Sequence, residues 1–150
     1  MPGFTGKILR VNLTTRESGV ERVSEGDLAR YFGGKGLATK ILVEELRPRT
    51  DPFSPDNKLV FSAGPFAGTS IPGSSRFTVM AKSPLTGLLG EANCAGFFAR
   101  EMKVAGYDAI VVEGRSEAPG YLWVRDDQVE VRDARRLWGC LLYTSDAADE

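Results

Sequence analysis

Alternating polar and apolar positions predict that strands make up most of the ordered chain. Residues 7–13 (KILRVNL) alternate with the period of a half-buried strand, and residues 58–63 (KLVFSA) are apolar enough to be buried on both faces. Two short runs separated by Asp126 and Asp127 predict a β-hairpin. The predicted strands cover residues 7–13, 18–23, 58–63, 76–82, 108–113, 121–125 and 128–132.

Three short helices interrupt these strands. Ser24 and Asp27 resemble a capping box and predict a helix that continues through Phe32. Two further helices are predicted over about residues 37–46 and 96–104. Because strands outnumber helices and mostly connect through short turns, the predicted class is α+β with mixed or antiparallel sheets.

The bulk composition is that of one soluble globular domain. The chain has 150 residues, 42% hydrophobic and 26% charged, and its net charge of −1 gives no reason to expect nucleic acid or an anionic membrane as a partner. It has no apolar run near the roughly 20 residues that span a bilayer, and no N-terminal secretory signal. Its two cysteines give neither a disulfide framework nor a metal-knuckle spacing, so we expect a reduced, cytoplasmic setting.

The chain contains no histidine. The commonest metal ligand and the commonest acid–base group at neutral pH are therefore missing. Neither a Ser-His-Asp nor a Cys-His site can be assembled from these residues. If the chain belongs to an enzyme, its chemistry is carried by a cofactor or by residues outside it.

The segment from Gly64 to Gly96 is rich in glycine and other small residues. Such residues let a backbone lie very close to another surface, and Arg76 and Asn93 stand among them. One interpretation is a backbone-lined floor for a phosphate-bearing ligand, with Arg76 as a fixed guanidinium and the Asn93 carbonyl able to coordinate Mg²⁺. The alternative, favoured on composition alone, is a run of tight turns in which Arg76 joins a surface ion pair and Asn93 occupies a turn.

Other chemically capable residues are given structural interpretations. Gly33–Gly36 precedes a helix but is interpreted as a helix C-cap that leads into a turn, not as an anion site. Cys94 is interpreted as a small space-filling residue. Glu91 and Asp108 are interpreted as solvated or strand-end carboxylates.

The last eleven residues, 140–150 (CLLYTSDAADE), do not continue the pattern before them. They closely resemble the translation of a transposon adapter used to prepare sequencing libraries. We therefore expect a non-native tail, give Cys140 no functional role, and interpret residues 1–139 as one truncated domain.

A series of short motifs recurs in a fixed order along the chain. The motifs are Gly6–Leu13, Gly33–Leu37, Asn57–Leu59, Gly64-Pro65 with Gly68-Thr69, Gly73–Phe77, Lys82–Gly87, Gly106–Ile110 and Leu137–Gly139. Together they resemble the N-terminal domain of the aldehyde:ferredoxin oxidoreductases, the tungsten-pterin enzymes, and the likeness extends over essentially all of residues 1–139.

This resemblance implies a base of two β-sheets with a few short helices, lying under a tungsten bis-pterin cofactor whose two phosphates are bridged by Mg²⁺. It implies that Arg76 contacts the pterin, that Asn93 contacts the pterin and offers its backbone carbonyl to Mg²⁺, and that Ala95 and Gly96 lie against the cofactor. The family usually has Ser-Gly-Gly where this chain has Cys94-Ala95-Gly96. The methyl group of Ala95 makes its contact the weakest of these assignments.

The resemblance also implies the activity of a longer protein. Such a protein oxidises aldehydes to carboxylic acids and passes electrons through tungsten and a 4Fe-4S cluster to ferredoxin, and it can be a homo-oligomer. The cluster ligands and acid–base residues lie in later domains, so we expect residues 1–139 to be inactive alone. A relative acting on aromatic acyl-CoA or another specialised substrate, a non-catalytic binding module, and molybdenum in place of tungsten stay open as alternatives.

Overall fold

Eleven regular elements are present in the computed structural model, which describes residues 3–140. The helices are α1 (Glu25–Tyr31), α2 (Gly34–Glu45) and α3 (Phe98–Val104). The strands are β1 (Lys7–Asn12), β2 (Glu17–Arg22), β3 (Lys58–Ala63), β4 (Arg76–Lys82), β5 (Leu89–Ala95), β6 (Ala109–Glu113), β7 (Gly120–Arg125) and β8 (Gln128–Asp133).

Six strands form one mixed sheet in the order β2-β1-β6-β3-β4-β5. Strands β1 and β6 pair in parallel, and every other neighbouring pair in this sheet is antiparallel. Strands β7 and β8 form a separate antiparallel hairpin. The predicted α+β class with mixed and antiparallel sheets is therefore confirmed.

Both faces of the six-stranded sheet are covered. Helix α2 packs on one face, where Ile8, Val60 and Met80 are buried against Leu37 and Ile41. On the other face, α3 and the β7–β8 hairpin cover a second core. Its members include Leu9, Val11, Ala99, Met102 and Ile110, with Leu122 and Val124 of the hairpin packed against them.

Strand β1 is buried more completely than its alternation predicts. Ile8 faces the α2 side and Leu9 and Val11 face the α3 side, and all three are at most 2% exposed. The expectation of a half-buried strand is therefore wrong for β1, because the order of the sheet places β1 beneath covering elements on both faces.

Gly33–Gly36 lie at the start of α2, and their role differs from the predicted one. Ser24 caps α1 as expected, accepting a hydrogen bond from the Asp27 N–H at 3.0 Å. Phe32 ends α1 in the left-handed conformation, and Gly34–Gly36 form the first turn of α2. The interpretation of Gly33–Gly36 as a C-cap leading into a turn is therefore wrong. A Cβ at Gly36 would lie 2.1 Å from the Tyr31 carbonyl oxygen, so the glycine permits close contact between the two helices.

Strand β5 was not predicted at all. Its sequence, LGEANCA, lacks alternating large apolar residues, and all but one of its residues are exposed. It forms because the turn after Lys82 returns the chain alongside β4 in an unbroken antiparallel register. The third predicted helix also begins two residues later than expected, at Phe98, because β5 extends to Ala95.

Candidate cofactor-binding site

The four residues predicted to bind a cofactor lie at one end of the six-stranded sheet. Arg76 begins β4, and Ala95, the last residue of β5, lies directly opposite it. Gly96 follows, and Asn93 lies opposite Thr78. The C-terminal end of β3 reaches the same end of the sheet, because Ala63 pairs with Phe77.

A cleft of about 390 Å³ opens at this end of the sheet. Three of the predicted residues, Arg76, Ala95 and Gly96, line it, whereas Asn93 lies outside the lining set. The cleft is lined by Gly68, Thr69, Ile71, Gly73, Ser74, Ser75, Arg76, Ala95, Gly96, Phe97 and Arg100. Sequence reasoning missed Arg100, which the first turns of α3 bring to the cleft opposite the loop before β4.

Arg76 is exposed, and within residues 3–140 it forms no ion pair. The surface ion-pair interpretation of Arg76 therefore finds no carboxylate in this part of the chain. Arg100, by contrast, is paired with Glu101 at 2.7 Å. The cleft thus presents one guanidinium whose five N–H groups are available to a ligand.

Gly96 makes a turn that holds the rim of the cleft. Its N–H donates to the Ser75 carbonyl at 3.2 Å, and its own carbonyl accepts from Ser75 Oγ at 2.6 Å. Its φ of +125° is a conformation that side-chain-bearing residues rarely adopt. A Cβ at this position would meet nothing within 4 Å, so glycine is needed for the backbone conformation and the space above it is open.

The hydrogen-bond register shows where the backbone of β5 points. Gly96 and Ser75 form a hydrogen-bonded pair at one end of the ladder, and the Ser83 N–H donates to the Leu88 carbonyl at the other. Hydrogen-bonded and non-hydrogen-bonded pairs alternate along antiparallel strands. Asn93 and Ala95 therefore belong to non-hydrogen-bonded pairs, and their N–H and C=O groups point away from β4.

Strand β5 is the last strand of the sheet, so these outward groups face an open edge. The Asn93 carbonyl is accordingly free to coordinate a hard cation such as Mg²⁺, which prefers oxygen ligands. The outward direction of this carbonyl is compatible with the prediction that Asn93 is a main-chain ligand.

The side chain of Asn93 is held by the protein at both ends of its carboxamide. Oδ1 accepts from Thr78 Oγ1 at 2.8 Å, and Nδ2 donates to Glu91 Oε1 at 2.7 Å. The other carboxylate oxygen of Glu91 pairs with Lys35 Nζ, in the first turn of α2, at 2.6 Å. Hydrogen bonds from Lys35 and then Asn93 lower the pKa of Glu91 and keep it charged.

Strand alternation places these groups on the α2 side of the sheet. Met80 belongs to the core beneath α2, so Thr78 and Arg76 face the same side. Their cross-strand partners, Asn93 and Ala95, face that side too. Neither Lys35 nor Thr78 was singled out from the sequence, because their contacts with β5 arise from tertiary pairing and leave no local signal.

The remaining sequence candidates have structural positions. Cys94 faces the opposite side of β5, across from Phe77, and is exposed, so it does not fill space in the core as expected. Asp108 lies at a strand end as expected, but it is fully buried and not solvated. Its carboxylate forms an ion pair with Lys103 and accepts hydrogen bonds from the N–H groups of Thr5 and Gly6.

Residues 3–140 contain no group of three or more His, Cys, Asp or Glu side chains placed to hold a metal ion. Over the same residues, no helix combines the length and apolar character required to cross a bilayer. What the cleft offers instead is main-chain N–H and C=O groups and a guanidinium. These groups can donate hydrogen bonds to an anionic ligand.

The sequence matches the family model "Aldehyde ferredoxin oxidoreductase, N-terminal domain" over residues 8–149, and the chain belongs to this family. It is 47% identical over 148 residues to a tungsten-containing aldehyde ferredoxin oxidoreductase of Thermococcus kodakarensis. That alignment covers 99% of this chain and 24% of the relative, so the chain spans about a quarter of the relative's length. A Pyrococcus furiosus relative named an aliphatic sulfonate oxidoreductase subunit is 36% identical over 93% of this chain and 22% of its own length.

A solved structure shares the fold closely. The active-site complex of benzoyl coenzyme A reductase with 1,5-dienoyl-CoA aligns with a TM-score of 0.93 and 38% identity, covering 98% of this chain and 23% of that chain. The resemblance inferred from the ordered sequence blocks is therefore confirmed at the level of family and fold. The origin of residues 140–150 stays a prediction, and residues 141–150 lie outside the described residues.

Proposed function

We propose that this chain is the cofactor-binding base of a longer tungsten-pterin oxidoreductase that oxidises aldehydes to carboxylic acids and passes the electrons to ferredoxin. The observation that carries the proposal is the end of the sheet. There Arg76, which has no ion-pair partner among residues 3–140, lies opposite Ala95, and the main-chain groups of Asn93 and Ala95 face the open edge. The names of the relatives support the reaction class.

The residues fit an anionic pterin cofactor in their donor chemistry. Arg76 would bind the pterin or its phosphates through charge-assisted hydrogen bonds. The Asn93 carbonyl would help to hold a Mg²⁺ ion bound with the cofactor, and the backbone at Ala95 and Gly96 would lie against the cofactor. When bound, the tungsten-pterin group supplies the two-electron redox chemistry, and this chain supplies position and electrostatics.

The wider assignments belong to the same proposal. The longer protein would carry a 4Fe-4S cluster on cysteines outside this chain and would work in the cytoplasm. It would assemble as a homo-oligomer. The chain alone would neither oxidise aldehydes nor bind iron. Anaerobic purification of residues 1–139, followed by iron analysis and a benzyl-viologen reduction assay, tests this, and turnover above background would contradict it.

Arg76 offers the sharpest test of the cofactor site in the full-length protein. Arg76→Ala should lower the tungsten content several-fold while leaving the melting temperature nearly unchanged. Arg76→Lys should recover only part of the loss, because an ammonium keeps the charge but lacks the planar fork. Arg125→Ala is the matched control, since Arg125 is exposed at the far end of the β7–β8 hairpin. Wild-type tungsten content in Arg76→Ala would refute the assignment.

A second candidate is a relative that acts on an aromatic acyl-CoA. The TM-score of 0.93 to a benzoyl coenzyme A reductase complex favours it as the alternative. The two candidates are separated by assaying the full-length protein with aldehydes and with aromatic acyl-CoA thioesters. A non-catalytic binding module would instead hold neither tungsten nor iron after expression in a tungsten-supplemented host.

A further inference from the structure

A continuous chain of polar contacts joins helix α2 to the sheet through the edge strand. Lys35 Nζ lies 2.6 Å from one carboxylate oxygen of Glu91, and the other accepts from Asn93 Nδ2 at 2.7 Å. Asn93 Oδ1 then accepts from Thr78 Oγ1 at 2.8 Å. Thr78 is only 5% exposed, so the chain of contacts ends on a fixed, buried residue.

The side chain and the main chain of Asn93 have different partners. Each end of the carboxamide contacts a protein partner, which ties Asn93 to its neighbours while its main-chain groups stay available to a ligand. Those groups point outward from β5, a strand that among residues 3–140 pairs only with β4. The direction of the Asn93 carbonyl therefore depends on how firmly β5 is held at this point.

We propose that Glu91, itself oriented by Lys35, is a positioning residue that fixes Asn93 so that its main-chain carbonyl faces the ligand. This inference rests on the proposed cofactor site. Glu91 does not touch the ligand in this proposal, and it acts through the hydrogen bond that it accepts from Asn93.

An ordinary surface ion pair would show the same Lys35–Glu91 distance. The Lys35 side chain is 61% exposed and that of Glu91 is 26% exposed, which is a setting where ion pairs contribute little to stability. The two interpretations differ in which contact of Glu91 is needed for cofactor binding, the one with Lys35 or the one with Asn93. A surface pair needs only the charge, whereas the positioning role needs an acceptor for Asn93 Nδ2.

Three variants of the full-length protein separate charge from acceptor. Glu91→Ala removes both. Glu91→Gln removes the charge but keeps a carbonyl oxygen for Asn93. The reciprocal exchange, Lys35→Glu combined with Glu91→Lys, restores an ion pair but places an ammonium, which cannot accept a hydrogen bond, next to Asn93. Glu44→Ala serves as the matched control, because the half-exposed Glu44 forms an ion pair with Lys40 on α2, the helix that carries Lys35.

The measurement is tungsten and pterin content per protein, with melting temperature recorded for each variant. Loss of an outer partner typically weakens metal binding by about 10–100-fold, so with limiting cofactor Glu91→Ala and the exchanged pair should both lose most of their cofactor. Glu91→Gln should retain an intermediate amount, and Glu44→Ala should match wild type. Melting temperatures should stay within the range of the control.

Two results would overturn the proposal. Full occupancy in the exchanged pair would show that only the ion pair matters, and full occupancy in Glu91→Ala would show that neither contact matters. Depletion in Arg76→Ala alongside full occupancy in Glu91→Ala would remove the positioning role and leave the proposed function intact. Absence of tungsten and pterin from the wild-type protein would contradict both the positioning role of Glu91 and the proposed function.

Discussion

Loss of the Asp108 side chain is predicted to destabilise the domain without changing any residue of the cleft at Arg76. Its carboxylate is fully buried, accepts hydrogen bonds from the N–H groups of Thr5 at 3.1 Å and Gly6 at 2.7 Å, and pairs with Lys103, whose side chain is 7% exposed. Lys103 also donates to the Gly3 carbonyl at 2.8 Å. This cluster fastens the N-terminal segment to the start of β6.

Asp108→Ala removes the acceptor of two backbone N–H groups and leaves the Lys103 ammonium buried without its counter-charge. Removing one partner of a buried pair costs about 3–5 kcal/mol. A chain of this length loses roughly 2–4 °C of melting temperature per kcal/mol. We therefore expect Asp108→Ala to melt about 10 °C lower than wild type.

The assay is thermal and urea denaturation of the 150-residue chain, with unfolding monitored by circular dichroism. Lys103→Met should lower the free energy of unfolding less than Asp108→Ala does, because the Asp108 carboxylate keeps its hydrogen bonds from both backbone N–H groups. The double variant should cost less than the sum of the two single changes, since the groups are in contact. Glu130→Ala, which removes an exposed pair with Arg132, is the control. A loss below about 1 kcal/mol in Asp108→Ala, a value typical of exposed pairs, would refute the reasoning.

Three further outcomes are expected. Gly96→Ala should destabilise the chain by about 1–3 kcal/mol through its backbone conformation, whereas Gly19→Ala, with open space and no positive φ, should be neutral in the same urea melts. Burial works to raise the pKa of Glu45, but the hydrogen bonds and charges of Arg10 and Lys58 together outweigh it, and the net pKa is lowered. Glu45 therefore contributes stability above its ordinary pKa of about 4.3 that is lost as pH falls through the lowered value, so the melting-temperature gap between wild type and Glu45→Gln should close on acidification. Recloning the locus without adapter-based library preparation should give a different continuation in place of residues 140–150; finding them in genomic DNA would contradict this.

Hydrophobic pattern predicted the strands that build the core. Strands β3 and β4 begin and end where the sequence placed them, at Lys58–Ala63 and Arg76–Lys82. In both, apolar side chains sit at the spacing that a covered sheet requires. The cap at Ser24 was also readable, because an N-cap is a contact between residues three positions apart.

Features that depend on the order of strands in the sheet could not be predicted from the sequence. The sequence gives no local sign that β1 lies between β2 and β6, and so none that both its faces are buried. The same holds for Lys35, which reaches Glu91 only because the N-terminus of α2 lies over the edge strand. Asp108 was misjudged for this reason as well, since its partners Thr5 and Gly6 are at the opposite end of the chain.

Strand β5 connects these limits to the proposed function. A strand whose main-chain groups must meet a ligand benefits from small side chains, because bulky ones would hold the ligand away from the backbone. Gly90, Ala92 and Ala95 satisfy this requirement, and together they remove the apolar alternation that identifies a strand. The property that made β5 undetectable by pattern is thus the one that suits it to the open edge of the sheet. Identifying such a strand from sequence therefore depends on recognising individual residues, here Asn93 in β5 and Arg76 in the neighbouring β4, and not on periodicity.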